Sequence, residues 1–151
     1  MKRIMLRSVY DAFDYVMAHY APFGMEEMAE KQDTYAVISI QDTHTEGFGF
    51  EFKKNKYCKD VLTLYFDDIV KDVEGAVMFN KEHAEKIIRF VKKNKAKVDT
   101  LLVHCYGGES RSRAVCAFVA KMLGTDNSKY FETGHPNQVV YDTLVEVWEE
   151  S

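Results

Sequence analysis

The stretch that decides the fold is L-L-V-H-C-Y-G-G-E-S-R-S-R-A-V-C-A-F-V-A-K-M, residues 101–122. Residues 100–104 are largely apolar and β-branched, which is typical of a buried strand. Residues 105–111 contain two consecutive glycines and predict a tight loop. From Ser112 onward, apolar side chains recur at i, i+3, i+4 and i+7 and predict an amphipathic helix; they are Val115, Phe118, Val119 and Met122. The stretch therefore predicts a strand, a loop that begins with a cysteine, and a helix that begins near an arginine.

A loop of this kind is suited to binding an anion. The first turn of a helix offers unpaired backbone N–H groups and the positive end of the helix dipole, and glycines let the preceding loop turn further N–H groups inward. Arg111 adds a planar guanidinium that can hold two phosphate oxygens at once. The same field favours a thiolate at Cys105. A thiolate beside a bound phosphate is a nucleophile for phosphoryl transfer.

Residues 104–112, H-C-Y-G-G-E-S-R-S, resemble at every fixed position the H-C-x-x-G-x-S-R-S signature of cysteine-dependent protein tyrosine phosphatases. They are most similar to the small dual-specificity branch with bacterial and phage members. The segment G-H-P-N-Q-V-V near the C-terminus also resembles the P-N-x-x-V segment of these relatives. The resemblance implies hydrolysis of a phosphorylated protein or a small phosphomonoester through a cysteinyl-phosphate, without a metal or cofactor.

The resemblance also assigns roles to individual residues. Cys105 is the nucleophile, and Ser112 resembles the hydroxyl that eases departure of the thiolate. Ser112 is also a candidate for a plain helix N-cap, and the two roles are compatible. His104 is a supporting residue, expected to form hydrogen bonds near Cys105. Loop N–H groups and the arginine side chain hold the phosphate; the residues are Tyr106, Gly107, Gly108, Glu109, Ser110 and Arg111. Tyr106 and Glu109 depart from the pattern of the small relatives, although side chains of such a loop point away from the anion.

Cleavage of a phosphate ester also needs a proton for the leaving oxygen, which an Asp or Glu on a neighbouring loop can supply. The upstream candidates are Asp67, Asp68, Asp72 and Glu74. In related phosphatases the acid is an Asp on the loop after the strand that precedes the long helix, and L-Y-F-D-D-I resembles that ending best at its second Asp. We therefore predict Asp68 as the general acid and Asp67 as the second choice. One of these two is expected to cap local N–H groups instead.

The remaining elements alternate between strands and helices. Strands are predicted at residues 3–6, 35–40, 61–66 and 100–104; helices are predicted after Ser8, over residues 25–31, after Asn80, from Ser112 and from the opening H-P-N of residues 135–137. This alternation predicts a single α/β domain over residues 1–151, with a mostly parallel sheet of about four to five strands and helices on both faces. Ligands bind beyond the carboxyl ends of such strands. Cys105 and the two aspartates after the third strand are therefore expected to face one cleft.

Two segments carry apolar side chains whose environment we also predict. The first helix has a stripe that is expected to face the core, formed by Val9, Phe13, Val16, Met17 and Tyr20. Residues 41–56, with Gly47 and Gly49, predict a functional surface loop. Its alternating Phe48, Phe50 and Phe52 predict a small strand or a pocket wall, with packing in the core or at an edge favoured. Residues 125–134 predict a polar loop.

Composition limits the possible partners. The chain has 151 residues, of which 46% are apolar and 29% charged, as in a globular domain with its own core. A net charge of −4 without a basic block argues against nucleic acid and against a phosphoinositide in a membrane. No apolar run approaches transmembrane length. Three cysteines fit a reducing cytoplasm. Cys116 is expected to be a core thiol, a disulfide that protects Cys105 being the alternative, and Cys58 is not placed.

Two other classes of protein use some of the same parts. A rhodanese-like sulfurtransferase also has a loop cysteine, but it needs neither an Asp on the neighbouring loop nor the S-R-S ending. A non-catalytic phosphate-binding module would keep the anion loop and lose the nucleophile or the acid. This sequence has both, so the hydrolase is the favoured interpretation.

Overall fold

The computed structural model describes residues 1–44 and 51–151. Four strands form one sheet in the order β1-β4-β2-β3, and each neighbouring pair is parallel. The strands are β1 (Arg3–Arg7), β2 (Tyr35–Gln41), β3 (Cys58–Tyr65) and β4 (Thr100–His104). The helices are α1 (Val9–Met17), α2 (Lys81–Asn94), α3 (Arg111–Met122), α4 (Ser128–Glu132) and α5 (Gln138–Glu150), with a 3₁₀ turn at Glu26–Met28. The predicted parallel α/β sheet is confirmed.

The sheet separates two apolar cores, because successive side chains of a strand point to opposite faces. On one face, Ile38 and Ile40 of β2 and Val103 of β4 pack with residues of α2, α3 and α5. On the other face, Val37 and Leu102 pack with residues of α1. Both central strands are buried along their whole length, as a parallel sheet covered on both faces requires. Helices therefore lie on both faces, as predicted.

Polar caps fix the starts of three helices where the sequence predicts them. The Ser8 side chain accepts a hydrogen bond from the Asp11 N–H at the start of α1. Asn80 forms a capping box with His83 at the start of α2. The Asn137 side chain accepts from the Val140 N–H at the start of α5. Each cap satisfies an N–H that lacks an intrahelical partner.

The predicted core-facing stripe of α1 is wrong for three of its five residues. Val9 is buried and Val16 packs against the core, as predicted. Phe13, Met17 and Tyr20 are instead 39%, 45% and 67% exposed, and the helix buries Ala12 and Tyr15. Large apolar side chains occupy both sides of this helix, so their period does not reveal which side faces the sheet. Packing against β4 and the neighbouring aromatic core decides it instead.

Three connecting segments also refine the prediction. Residues 25–31 contain only the short 3₁₀ turn, and the predicted polar loop at residues 125–134 contains α4. Phe52 is buried in the core that contains α1, whereas Gly47, Phe48, Gly49 and Phe50 lie outside the described residues. In the described part of the chain, every helix is too short or too polar to cross a membrane.

Candidate active site

The carboxyl ends of the four parallel strands meet at one edge of the sheet, and the predicted site residues gather there. Cys105 directly follows β4, and Asp42 directly follows β2. Asp67 and Asp68 follow β3 after one intervening residue, and Arg7 ends β1 beside His104 of β4. Parallel pairing thus brings together side chains that are far apart in the sequence.

The sulfur of Cys105 is held inside the loop of residues 105–111. Its Sγ is 3.0 Å from the Ser112 hydroxyl oxygen and 3.3 Å from the Gly108 nitrogen, which donates to it. Cys105 is 3% exposed, so these donors and the N-terminus of α3, rather than water, stabilise a negative charge there. Ser112 lies inside α3 and Ser110 precedes the helix. The N-cap interpretation of Ser112 is therefore wrong, and its hydroxyl faces the sulfur instead.

Gly108 fixes the loop against the start of α1. Its φ of +72° is unfavourable for other residues. A Cβ at this position would lie 2.8 Å from the carbonyl carbon and oxygen of Arg7 and 2.9 Å from the Ser8 nitrogen. The Val9 N–H also donates to the carbonyl oxygen of Tyr106 at 3.0 Å. Close backbone contact with the junction between β1 and α1 therefore requires glycine here.

Further backbone donors surround the loop. Within the described part of the chain, the N–H groups of Gly107, Glu109, Ser110 and Arg111 donate no hydrogen bond. These are four of the N–H groups that the sequence predicts as phosphate donors. They precede or open α3, where the helix dipole adds positive potential. The loop therefore has the chemistry of an anion site.

Arg111 is nearly buried and only partly satisfied. Its Nη1 donates to the Asp42 carboxylate at 2.6 Å and to the Phe66 carbonyl oxygen at 2.8 Å. Its Nε is buried and has no hydrogen-bond partner among the described residues. An unsatisfied buried donor costs about 1–3 kcal/mol, which an anionic ligand would remove. Sequence reasoning did not single out Asp42, because its role depends on β2 lying beside β4.

Asp68 is the carboxylate that reaches the loop. Its Oδ1 accepts hydrogen bonds from the Ser110 hydroxyl at 2.8 Å and from Asn137 Nδ2 at 2.9 Å. Asn137 also donates its side chain to the Ile69 carbonyl oxygen at 3.1 Å and its backbone N–H to the Ser110 carbonyl oxygen at 3.1 Å. Asn137 thus connects the loop, the segment after β3 and the start of α5. The sequence motif indicated Asn137 only as part of the helix start.

Asp67 points away from the loop and serves its own segment. It accepts hydrogen bonds from the N–H and hydroxyl of Thr43 at 3.1 and 2.6 Å and from the Val77 N–H at 2.8 Å. Burial alone would raise the pKa of Asp67, but these hydrogen bonds outweigh burial and lower it. An aspartate held in its ionised form is a poor proton donor. Of the two aspartates, Asp67 is thus the one that caps local N–H groups.

His104 is a buried neutral imidazole. Its Nδ1 lies 3.1 Å from the Cys105 carbonyl oxygen and therefore carries the proton, so Nε2 accepts from the Ser39 hydroxyl at 2.7 Å. Burial lowers the pKa of His104 to about 4. The Phe52 ring also packs on it, with centroids 5.0 Å apart. These contacts hold the backbone at Cys105, which is what the predicted supporting role requires.

The other two cysteines are separate from this chemistry. All three cysteines are free thiols, so the disulfide alternative for Cys116 is not formed. Cys116 is fully buried inside α3, and burial raises its pKa. Cys58 begins β3 and therefore lies at the edge of the sheet opposite to Cys105. Burial raises the pKa of Cys58 to about 11, so both are inert core thiols.

Comparison with known proteins shows the fold. No protein-family model and no curated protein matches the chain. Among solved structures, human DUSP28 has a TM-score of 0.55 at 17% identity, covering 97% of this chain and 92% of that one. PTPMT1 in complex with PI(5)P has a TM-score of 0.53 at 17% identity, covering 98% and 91%. Tk-PTP in its active form has a TM-score of 0.52 at 16% identity, covering 99% and 90%. The chain therefore has the α/β fold of these phosphatase structures.

Proposed function

We propose that the protein is a cysteine-dependent phosphomonoester hydrolase of the protein tyrosine or dual-specificity phosphatase type. One observation carries the proposal: the Cys105 sulfur, the unsatisfied Nε of Arg111 and the Asp68 carboxylate belong to one loop and its direct partners. A nucleophile, an anion site and an acid at one strand edge are the three parts that the reaction needs. The likeness to phosphatase structures supports the fold that positions them.

The proposed reaction has two displacements. In the first, the Cys105 thiolate attacks phosphorus, the S–P bond forms, and the P–O bond to the leaving group breaks as Asp68 donates its proton to the leaving oxygen. In the second, the Asp68 carboxylate takes a proton from water, the water oxygen attacks phosphorus, and the S–P bond breaks. The Ser112 hydroxyl, 3.0 Å from Sγ, stabilises the departing thiolate. Arg111 and the loop N–H groups hold the equatorial oxygens throughout.

A phosphoprotein suits the site better than a phosphoinositide. PTPMT1, which shares the fold, has been solved with PI(5)P. In this chain, however, the loop of residues 105–111 contains no lysine and carries the exposed Glu109. Additional phosphates on an inositol ring would find no lysine partner in this loop and would be repelled by Glu109. An odd number of cysteines, three, together with a proposed thiolate nucleophile supports a reducing compartment such as the cytoplasm.

Hydrolysis of aryl phosphates with different leaving groups, without added metal, tests the proposal. We expect Cys105→Ser to abolish activity on p-nitrophenyl phosphate. We expect Asp68→Asn to lose about 10²–10⁴-fold on phenyl phosphate, whose leaving oxygen needs a proton, and much less on 2,4-dinitrophenyl phosphate. Asp72→Asn, an exposed residue of the same segment, serves as the matched control and should retain full activity on both.

Three outcomes would contradict parts of the proposal. Activity that survives in Cys105→Ser would exclude the cysteinyl-phosphate. A leaving-group-dependent loss in Asp72→Asn rather than in Asp68→Asn would reassign the general acid. A native protein that binds orthovanadate but hydrolyses no aryl phosphate would be a non-catalytic phosphate-binding module.

A further inference from the structure

The exposed side of α1 carries apolar side chains where a surface helix usually carries polar ones. Tyr10 is 66% exposed, Met17 is 45% exposed, and Tyr20, just past the end of the helix, is 67% exposed. Phe13 lies between them and is 39% exposed. Spacings of three and four residues place Tyr10, Phe13 and Met17 on one side of the helix. Tyr20 follows in the turn at its end, where its N–H donates to the Met17 carbonyl oxygen. We call this surface, Tyr10, Phe13, Met17 and Tyr20, the α1 face. Contiguous exposed apolar surface of this kind is typical of interaction sites.

The α1 face begins at the rim of the candidate active site. The ring of Tyr10 packs edge-on against the ring of Tyr106, with centroids 6.1 Å apart. Tyr106 directly follows Cys105 and is 52% exposed, and its carbonyl oxygen is bonded to the Val9 N–H of α1. Consider a polypeptide whose phosphorylated side chain lies in the loop and whose backbone passes over Tyr106. Its next residues therefore lie along α1.

The charges beside this path are negative. Between Ser8 and Tyr20 the sequence contains Asp11 and Asp14 and no lysine or arginine. Both aspartates are exposed, and on a helix they lie along one border of the α1 face. Glu109 and Asp68 add exposed carboxylates at the rim of the loop. A partner that follows this path is favoured by basic side chains and disfavoured by acidic ones.

Arginines and lysines also lie near this path. The Arg113 guanidinium donates to the carbonyl oxygens of Glu109 and Tyr130 and to the hydroxyl of Thr133, which places it on the α4 side of the loop. Arg7, which ends β1 just before α1, donates to the Leu6 carbonyl oxygen. The far end of the α1 face, with Met17 and Tyr20, lines a groove of mixed charge; its charged residues are Lys53, Lys54, Lys56, Glu26 and Glu51. The preference for basic side chains therefore applies to the part of the partner that passes Asp11 and Asp14.

We propose that the α1 face, bordered by Asp11 and Asp14, docks the polypeptide segment next to the phosphorylated residue of a protein substrate. The face selects a segment with apolar and basic side chains. This inference rests on the proposed phosphatase function and names the class of substrate for the same site. Apolar side chains of the segment pack on Tyr10 and Met17, and its lysine or arginine side chains pair with the two aspartates.

Steady-state kinetics with two phosphotyrosine peptides of equal length tests this inference. Both peptides carry leucine near the phosphotyrosine, and they differ only in flanking lysines or flanking glutamates. We expect the native protein to prefer the lysine peptide in kcat/KM, with the preference reduced in 0.5 M salt. Asp11→Asn/Asp14→Asn should reduce this preference about fivefold, the size expected of two exposed charge pairs. Met17→Ser/Tyr20→Ser should lower kcat/KM about fivefold for both peptides.

Controls separate docking from chemistry. All of these variants should hydrolyse p-nitrophenyl phosphate like the native protein, because that substrate does not reach α1. Asp142→Asn/Glu149→Gln removes two exposed carboxylates from α5 and should leave the peptide preference unchanged.

Equal kcat/KM values for the two peptides, in a native protein that is active on p-nitrophenyl phosphate, would overturn this inference and leave the proposed function standing. A native dimer that Met17→Ser/Tyr20→Ser dissociates, with unchanged peptide kinetics, would assign the face to a second copy. No hydrolysis of p-nitrophenyl phosphate would instead reject the proposed function.

Discussion

At the scale of single residues, Asp42 has the least expected role in the site. Its carboxylate holds Arg111 Nη1 at 2.6 Å, and the Phe66 carbonyl oxygen holds the same nitrogen at 2.8 Å. These two acceptors fix the plane of the guanidinium and leave Nε for an anion. A nearly buried arginine with a fixed plane is oriented before the phosphate arrives, which reduces the entropy lost in the transition state.

We predict that Asp42→Ala lowers kcat for p-nitrophenyl phosphate roughly tenfold or more and changes KM much less. Loss of the fixed orientation of Arg111 should lower kcat. Removal of a negative charge near the phosphate favours substrate binding, which keeps KM from rising. Asp42→Asn keeps an oxygen acceptor and should retain more of the activity. Asp11→Ala removes the same charge from α1 and is the control. An equal fall of kcat in both alanine variants, or a rise of KM without a change of kcat, would contradict the orienting role.

The residues of the candidate site could be identified most directly where they are local in the sequence. Cys105, Ser112 and Arg111 belong to one continuous strand, loop and helix, so a single motif was enough to indicate them. Asp42 and Asn137 act on that loop from β2 and from the start of α5. Their roles depend on the order of strands and on the packing of α5, which no short pattern encodes. The choice between Asp67 and Asp68 likewise depends on which carboxylate meets Thr43 and which meets Ser110.

At the scale of elements, the junction between β1 and α1 supports the loop of residues 105–111 through Gly108. We predict that Gly108→Ala lowers the free energy of unfolding by about 1–3 kcal/mol. The alanine would have to keep a positive φ, and its Cβ would lie 2.8–2.9 Å from backbone atoms of Arg7 and Ser8. The Gly108 N–H should also lose its hydrogen bond to the Cys105 sulfur. We therefore expect kcat for p-nitrophenyl phosphate to fall even at temperatures where the variant is fully folded.

Gly107→Ala is the matched control for this prediction. Within the described residues, a Cβ at Gly107 would meet only the Glu109 side chain, at 4.0 Å. The melting temperature of Gly107→Ala should therefore stay close to that of the native protein. Thermal unfolding of the two variants checks the difference. Equal melting temperatures for both alanine variants would show that the junction does not constrain the loop.

The same scale explains which elements could be predicted. The strands that form the centre of the sheet are buried on both faces and were found from continuous apolar runs, and the capped helices were found from Ser8, Asn80 and Asn137. The buried side of α1 could not be read, because apolar residues lie on both of its sides. Helix α4 has five residues, which is too short for a periodic pattern to appear.

At the scale of the whole molecule, one buried and one partly buried polar network make the free energy of unfolding depend on pH. One is His104 with Ser39 and the Cys105 carbonyl oxygen. The other lies where α1 meets β4, and there Asp33 accepts hydrogen bonds from Tyr15, His19 and Thr100. Burial lowers the pKa of His104 to about 4. Burial alone would raise the pKa of Asp33, but its hydrogen bonds outweigh burial and lower it to about 2.

Both pKa values are lower in the folded state than in the unfolded chain, so acid should destabilise the fold in two stages. The unfolded chain binds a proton at His104 near pH 6.5 and the folded protein only near pH 4, which removes about 3 kcal/mol of stability as the pH falls across that window. Asp33 contributes stability above about pH 4, and this is lost as the pH falls towards about 2.

Urea unfolding at pH 7, 5.5 and 4 measures the first stage. His104→Gln should flatten the dependence between pH 6.5 and 4, although it also lowers stability at pH 7. His135→Gln, which changes an exposed histidine, should keep the native slope of the free energy of unfolding against pH. If His104→Gln also kept the native slope, other groups would govern the acid sensitivity of this fold.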